Sequence, residues 1–324
     1  MALHTGRCVA HSDCYSQWMP ELPDIVVYIE ALDRRIAGSI LQSVHLQSMF
    51  VLRSVDPPIS TLAGKRVVGL RRLGKRIAIE FENDLHLIIH LMIAGRLQWK
   101  DRHSGPSAKN ILATFEFESG SLILTEAGSK KRASIHVAYG KYALRQFDHR
   151  ALELFESAPE EFARVLRSEN HTLKRSLTDP RLFSGIGNAY SDEILHRARL
   201  SPLTLTSKLQ DNEAVRLFEA CIAVLSEWTD RLKKQSADAF PSRVTAFHPE
   251  MAVHGRFGQP CPDCGSPVQR IVYAENECNY CATCQTGGRL LADRAMSRLL
   301  KEDWPRSIDE MERHFEERRP NGSV

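Results

Sequence analysis

Met19-Pro20-Glu21-Leu22-Pro23-Asp24 is the stretch from which the rest of the chain is read. Initiator methionine is normally removed ahead of a small residue. A proline exposed in this way carries a free secondary amine, a nucleophile able to attack an electrophilic carbon such as C1′ of a sugar and form an iminium. Glu21 beside it supplies a carboxylate for the proton transfers. In the numbering of the full chain Met19 is internal, and Pro20 in an ordinary amide has no lone pair to offer. Residues 1–18 carry Arg7, Asp13, two His and two Cys and lack the apolar stretch of a secretory signal. They are expected to be a leader outside the native protein, loosely packed and obstructing the mouth of the site.

Downstream of the hexapeptide, apolar residues at 25, 26, 29, 32 and 36 mark one face of a helix that Gly38 ends. From there to about residue 126 the pattern changes to short alternating or apolar segments: 43–51, 66–70, 76–81, 85–91, 96–100, 111–117 and 122–125. Asn83-Asp84 and Ser119-Gly120 read as hairpin turns. The expected fold is α+β, with a mostly antiparallel β-sandwich or barrel carrying the N-terminal helix. Lys75 heads the segment Lys75-Arg76-Ile77-Ala78-Ile79-Glu80-Phe81, on the same face as Ile77 and Ile79. It belongs to an acid-free basic run that includes Lys65, Arg66, Arg71, Arg72 and Arg76.

Residues 127–146 read as a basic link, and helical spacing begins beyond it, at 151–155, 159–167, 173–178, 191–198 and 211–234. In this helical part Gly185-Ile186-Gly187-Asn188 precedes a helix, a turn whose outward N–H groups form a nest for phosphate, with Asn188 as a cap. The bland reading is a structural turn. Lys174, fourteen residues before Asn188, is a cation within reach of the same anion if the two helices fold back on each other.

Five of the eight cysteines crowd into residues 261–284. Cys261-Pro262-Asp263-Cys264 and Cys281-Ala282-Thr283-Cys284 are two Cys-x-x-Cys knuckles separated by a hairpin's length of chain, the spacing of a tetrahedral zinc site rather than a redox dithiol. Such clustering also indicates a reducing compartment. The 324 residues are 43% apolar with a net charge of +3, enough for a sizeable core and permissive of a polyanionic partner. No run approaches the roughly 20 apolar residues of a membrane helix, so a cytoplasmic location is expected. A helix at 290–300 and a charge-balanced, exposed helix at 306–319 are expected at the end of the chain.

This succession of Met-Pro-Glu-Leu-Pro-acid, Lys-x-Ile-x-Ile strand, Gly-Ile-Gly-Asn-Ala-Tyr turn and four-cysteine ribbon resembles the formamidopyrimidine-DNA glycosylase and endonuclease VIII family over residues 19 to about 285. The resemblance implies a bifunctional DNA glycosylase and AP lyase of base-excision repair, which flips an oxidised base from the duplex, excises it and nicks the backbone by β,δ-elimination. It implies Pro20 as the Schiff-base nucleophile, Glu21 as acid/base catalyst and Lys75 as a phosphate contact that assists base release. His90, Arg132, Lys174 and Asn188 correspond to DNA contacts, and Cys261, Cys264, Cys281 and Cys284 to the ligands of one structural zinc. The partner is double-stranded DNA carrying damaged bases or abasic sites, bound by a monomer. The implied domains are a leader (1–18), a catalytic β-sandwich (19–145), a helix–two-turn–helix domain (146–250), a zinc ribbon (251–288) and a charged helical tail (289–324).

Four departures from the family pattern bear on substrate. Ile93 stands where an intercalating methionine is common, and the segment Ser129-Lys130-Lys131-Arg132-Ala133 has no aromatic of an Arg-x-Phe wedge. Glu275 stands where the ribbon arginine is expected, and an acid there repels phosphate. The stretch from Gln235 to Arg256 is short for the loop that caps 8-oxoguanine. These point to oxidised pyrimidines, ring-opened purines or abasic DNA. The alternatives are a catalytically inactive lesion- or structure-specific DNA-binding protein of the same fold, and a zinc-dependent transcription or RNA-binding module, which leaves the opening hexapeptide unexplained.

Overall fold

The structure is a computed structural model that describes residues 19–101, 110–128, 130–237, 239–241, 248–273 and 276–291, with the single positions 307, 310 and 313. The expectations for residues 1–18, for Ser129 and Glu275, for 242–247, and for most of the tail beyond 291 lie outside the described residues.

Helix α1 (Leu22–Ile36) opens the fold. Glu21 precedes it and donates its backbone N–H to Asp24 Oδ2 at 3.0 Å, satisfying a donor that the first turn leaves free. Eight strands follow: β1 (Leu41–Leu46), β2 (Val67–Leu73), β3 (Arg76–Phe81), β4 (Leu85–His90), β5 (Gly95–Asp101), β6 (Ile111–Phe117), β7 (Gly120–Glu126) and β8 (Ser134–Tyr139). They form two four-stranded antiparallel sheets, β1-β6-β7-β5 and β2-β3-β4-β8. Ile77, Ile79, Leu87, Ile89, Leu97, Phe115, Leu124 and Ile135 lie in the core between them, beside Ile25, Tyr28, Leu32 and Ile36 of α1. The β3–β4 hairpin closes through three residues, Glu82 to Asp84, between the paired Phe81 and Leu85, with Asn83 and Asp84 in the left-handed region at φ 64° and 54°.

The stretch read as a basic link contains β8, which is paired along its length to β4, Leu85 with Tyr139 through His90 with Ser134. Ile135 and Val137 alternate into the core, but the basic residues just ahead of them masked that signal.

A second core holds the helices α3 (Pro159–Leu166), α4 (Leu173–Thr178), α5 (Asn188–Arg197) and α6 (Asp211–Ser236), entered through the short α2 (Gly140–Leu144). Residues 151–155, expected to be helical, hold only a 3-10 turn at Leu154–Glu156. Leu22 packs in this second core with Val26 against it, while Ile25, Tyr28, Leu32 and Ile36 pack in the first, so α1 joins the two. The ribbon is a hairpin, β9 (Val268–Tyr273) with β10 (Asn276–Cys281), followed by α7 (Ala282–Thr286). Among the described residues no helix is long and apolar enough to cross a membrane.

Candidate active site and metal centre

Glu21 is the pivot of the site. Its side chain is 3% exposed, and it reaches across the fold to the start of α5, where it accepts from the backbone N–H groups of Gly187 (2.6 Å), Ala189 (2.8 Å) and Tyr190 (3.3 Å). A carboxylate placed at the positive end of a helix and bonded to its orphan donors is held in one orientation. The nest that the sequence offers to phosphate is therefore occupied by a carboxylate of the protein itself. Leu22 N–H donates to Gly185 O at 3.0 Å and fixes the same junction from the backbone.

Gly187 is required for this arrangement. A Cβ built there would lie 2.5 Å from both Glu21 Cδ and Lys75 Nζ, so ammonium and carboxylate face each other across the space of one absent methyl. Lys75 sits in the β2–β3 turn immediately ahead of β3. Burial pushes its amine below the ordinary lysine value, the Glu21 carboxylate opposes that shift, and the Lys174 cation adds to it. A lysine that burial makes readier to give up its proton, next to a fixed carboxylate, is suited to moving a proton.

Lys75 opens onto a cleft of about 210 Å³ whose lining also includes Met19, Arg76, His90, Met92 and Gly185, whereas Glu21 and Pro20 lie behind that lining, buried. His90 at the end of β4 is held down to about 4, by burial first and then by the Arg76 and Lys75 cations. At neutral pH it meets a ligand as a neutral hydrogen-bonding ring. Met92, at φ 52° in the tight β4–β5 turn, lines the cleft, whereas Ile93 is not among its lining residues. The turn is closed by Gly95 N–H to Leu91 O at 2.9 Å, and a Cβ on Gly95 would meet that oxygen at 2.3 Å.

The basic run is in large part structural. Arg71 pairs with Glu80 at 2.6 Å, Arg72 bonds Glu153 and Ser184 of the helical half, and Arg76 donates to Phe147 O at 3.0 Å. Arg132 is exposed and does not line the cleft. Its backbone N–H donates to the buried Glu126 carboxylate at 2.9 Å, which fixes the loop that carries it.

Lys174 and Asn188 meet as expected, by the fold-back of α4 and α5, but both face protein. Lys174 Nζ donates to Asn188 O (2.6 Å), Ser191 Oγ (2.8 Å) and Asp192 Oδ1 (2.6 Å), which uses all three N–H groups of an ammonium. Asn188 is the first residue of α5 rather than its cap, and its side-chain amide donates to Glu277 O of the ribbon at 2.9 Å.

Sequence reasoning missed the polar stripe of α5. Asn188, Asp192 and His196 recur every four residues on one face, with Glu193 beside them, and the last three are buried. Asp192 is closed from solvent and binds Lys174, His254 Nδ1 (2.7 Å) and the Asn279 N–H (3.1 Å). Glu193 accepts from the backbone N–H groups of Ala252, Val253 and His254 at 2.7 to 2.9 Å. The i, i+4 spacing was visible in the sequence. What the side chains bind is non-local, and a polar helical face ordinarily reads as solvated.

The Sγ atoms of Cys261, Cys264, Cys281 and Cys284 all lie within 4.8 Å of one another, with Cys264 to Cys281 at 3.4 Å and Cys261 to Cys284 at 3.9 Å. A tetrahedron with metal–sulfur bonds of about 2.3 Å has edges of about 3.8 Å, so the four thiols fit one metal ion of the zinc type. Cys278 is buried in the small core behind β10 and takes no part.

The comparisons with known proteins agree with this architecture. Residues 19–133 match the model of the formamidopyrimidine-DNA glycosylase N-terminal domain, and residues 153–238 that of the formamidopyrimidine-DNA glycosylase H2TH domain. The chain is 31% identical over 284 residues to the formamidopyrimidine-DNA glycosylase of Thermus thermophilus, covering 83% of this chain and all of that one. It is 40% identical over 149 residues to an uncharacterised formamidopyrimidine-DNA glycosylase-like protein of Mycobacterium tuberculosis, covering 46% of this chain and 92% of that one. Among solved structures it superposes on the Lactococcus lactis enzyme in complex with abasic-site DNA, with a TM-score of 0.73, 25% identity and coverage of 82% of this chain and 99% of that one. Two successive domain models and a relative matched over its whole length lead to one conclusion: the chain belongs to the formamidopyrimidine-DNA glycosylase family.

Proposed function

We propose that the protein is a base-excision repair DNA glycosylase and AP lyase acting through Pro20 as an N-terminal amine. The observation that carries this reading is the Glu21 carboxylate clamped by three N–H groups beside the Lys75 amine, in the residue directly after Pro20. The Pro20 nitrogen adds to C1′ while the glycosidic bond breaks and the base departs with a proton. Glu21 and Lys75 exchange the protons: the amine gives up its hydrogen, the C1′–O4′ bond opens with a proton delivered to O4′, and an iminium then links Pro20 to C1′ of the opened sugar. Loss of a C2′ proton then breaks the C3′–O bond, and a second elimination breaks the 5′ bond. The alignment of the family's N-terminal domain begins at Met19, which supports a mature N-terminus at Pro20.

Double-stranded DNA carrying an oxidised base or an abasic site is the substrate this reading requires, consistent with the abasic-site complex of the Lactococcus lactis relative. His90, Arg132, Lys174 and Asn188 are the proposed DNA-side residues, and a phosphate at Lys174 has to displace one of its three protein acceptors. Cys261, Cys264, Cys281 and Cys284 would hold one zinc, which, when bound, supplies structure to the ribbon. The protein would act as a monomer in the cytoplasm.

Borohydride trapping on an abasic-site duplex tests the chemistry. Protein beginning at Pro20 is expected to give a covalent adduct and Pro20→Gly a reduced yield. No adduct from the former would sink the lyase reading. Met19 among the cleft-lining residues supports a second reading, an inactive lesion-specific binder in chains that keep the peptide bond to Pro20. Intact mass of protein from the native host separates the two.

A further inference from the structure

His196 lies in the last turn of α5 and is 4% exposed. Its Nε2 is 3.2 Å from Cys261 Sγ, 4.0 Å from Asp263 Oδ2 and within 4.8 Å of Cys284 Sγ. The repair chemistry has no use for this ring, and an imidazole is not buried without cost unless its polar atoms are met. Asp263 is 44% exposed and beyond hydrogen-bond distance, so the sulfur is the partner.

A metal-bound cysteine sulfur carries no proton, so any hydrogen bond between the two must run from nitrogen to sulfur. The Nε2 of the imidazole then carries the hydrogen. Four thiolates around a dication leave the centre with excess negative charge, and donors aimed at the sulfurs relieve it. Within the ribbon the Cys284 backbone N–H reaches Cys281 Sγ at 3.4 Å. For Cys261 the side-chain donor comes from outside the ribbon.

We propose that His196 is the outer-sphere partner of the metal centre: it donates Nε2–H to the Cys261 thiolate, raises metal affinity and fastens the ribbon to α5. This rests on the zinc reading above. Asn188, about 12 Å away along α5, opens the end of the helix that holds Glu21, so the metal centre and the catalytic carboxylate are borne by one rigid element.

Competition with a chromophoric chelator on the full-length protein tests the proposal, in wild type, His196→Phe and His196→Gln, together with the melting temperature of each protein stripped of metal. Expected are zinc binding 10- to 100-fold weaker in His196→Phe, as for other lost outer-shell partners, and recovery in His196→Gln, whose amide restores an N–H. The metal-free proteins should melt together. Wild-type zinc affinity in His196→Phe overturns the proposal. So does equal weakening in both variants with lowered melting of their metal-free forms, which marks a packing role. Absence of zinc uptake by the wild type overturns the zinc reading itself.

Discussion

Gly187→Ala is the sharpest test of the catalytic geometry. Gly187 has φ −133° and ψ −154°, extended backbone that alanine also adopts, so the substitution carries no conformational penalty of its own. Its whole effect comes from the added methyl, 2.5 Å from Glu21 Cδ, 2.6 Å from Glu21 Oε1 and 2.5 Å from Lys75 Nζ. Both side chains have to retreat by about 1 Å to reach ordinary contact. Glu21 then loosens its bonds to the Gly187 and Ala189 N–H groups. Overpacking of this kind costs about 1–3 kcal/mol, and a catalytic group misplaced by about 1 Å costs about 100-fold in rate. Single-turnover cleavage of an abasic-site duplex should therefore fall by about that factor while gel-shift affinity changes little. Gly185→Ala is the control, because there the added methyl meets Leu22 first, its Cβ at 2.7 Å, at φ +84°, and the strain falls on packing and backbone. It should lower stability more than it lowers the rate per folded molecule. A Gly187→Ala protein that cleaves and traps as wild type would refute the placement of Glu21 and Lys75.

Further outcomes follow from the buried charges. Lys174→Met leaves the closed-off Asp192 carboxylate without its ammonium and should cost about 3–5 kcal/mol in urea unfolding. Asp192→Leu added to it should recover part of that loss, and purely additive losses would argue against the pair. For His90 the folded value, about 4, lies below the ordinary 6.5, so the unfolded chain takes up the proton first. Stability is fully retained above pH 6.5 and declines towards pH 4 by at most about 3 kcal/mol. His90→Gln should flatten that part of the stability profile. Chelation of zinc, or Cys281→Ser, should abolish the gel shift before the bulk of the protein unfolds; unchanged DNA affinity after verified metal loss would contradict it.

Local pattern determined a great deal of this protein. Alternation in Arg76–Phe81 and Ile111–Phe117, the positive-φ turn at Asn83-Asp84, and the helix at Leu173–Thr178 depend on neighbours in the chain, and all were legible there. The paired cysteine knuckles specify their donor geometry by spacing alone, and the four sulfurs do come together. The hexapeptide announced a proline, a carboxylate and a helix start by residue type. What only the tertiary structure decided is what each polar group faces. The same N–H groups at Gly187 and Ala189 would serve a phosphate or a carboxylate equally well, and only the approach of α1 to α5 assigns them to Glu21, 166 residues from Gly187 in sequence. Lys174 and the stripe Asn188, Asp192 and His196 likewise look solvated one by one, until α4 folds back on α5 and the ribbon closes over the stripe. Periodicity records which face of an element is apolar; hydrogen bonds and ion pairs are short-ranged and directional, so their partners exist only once distant elements have packed.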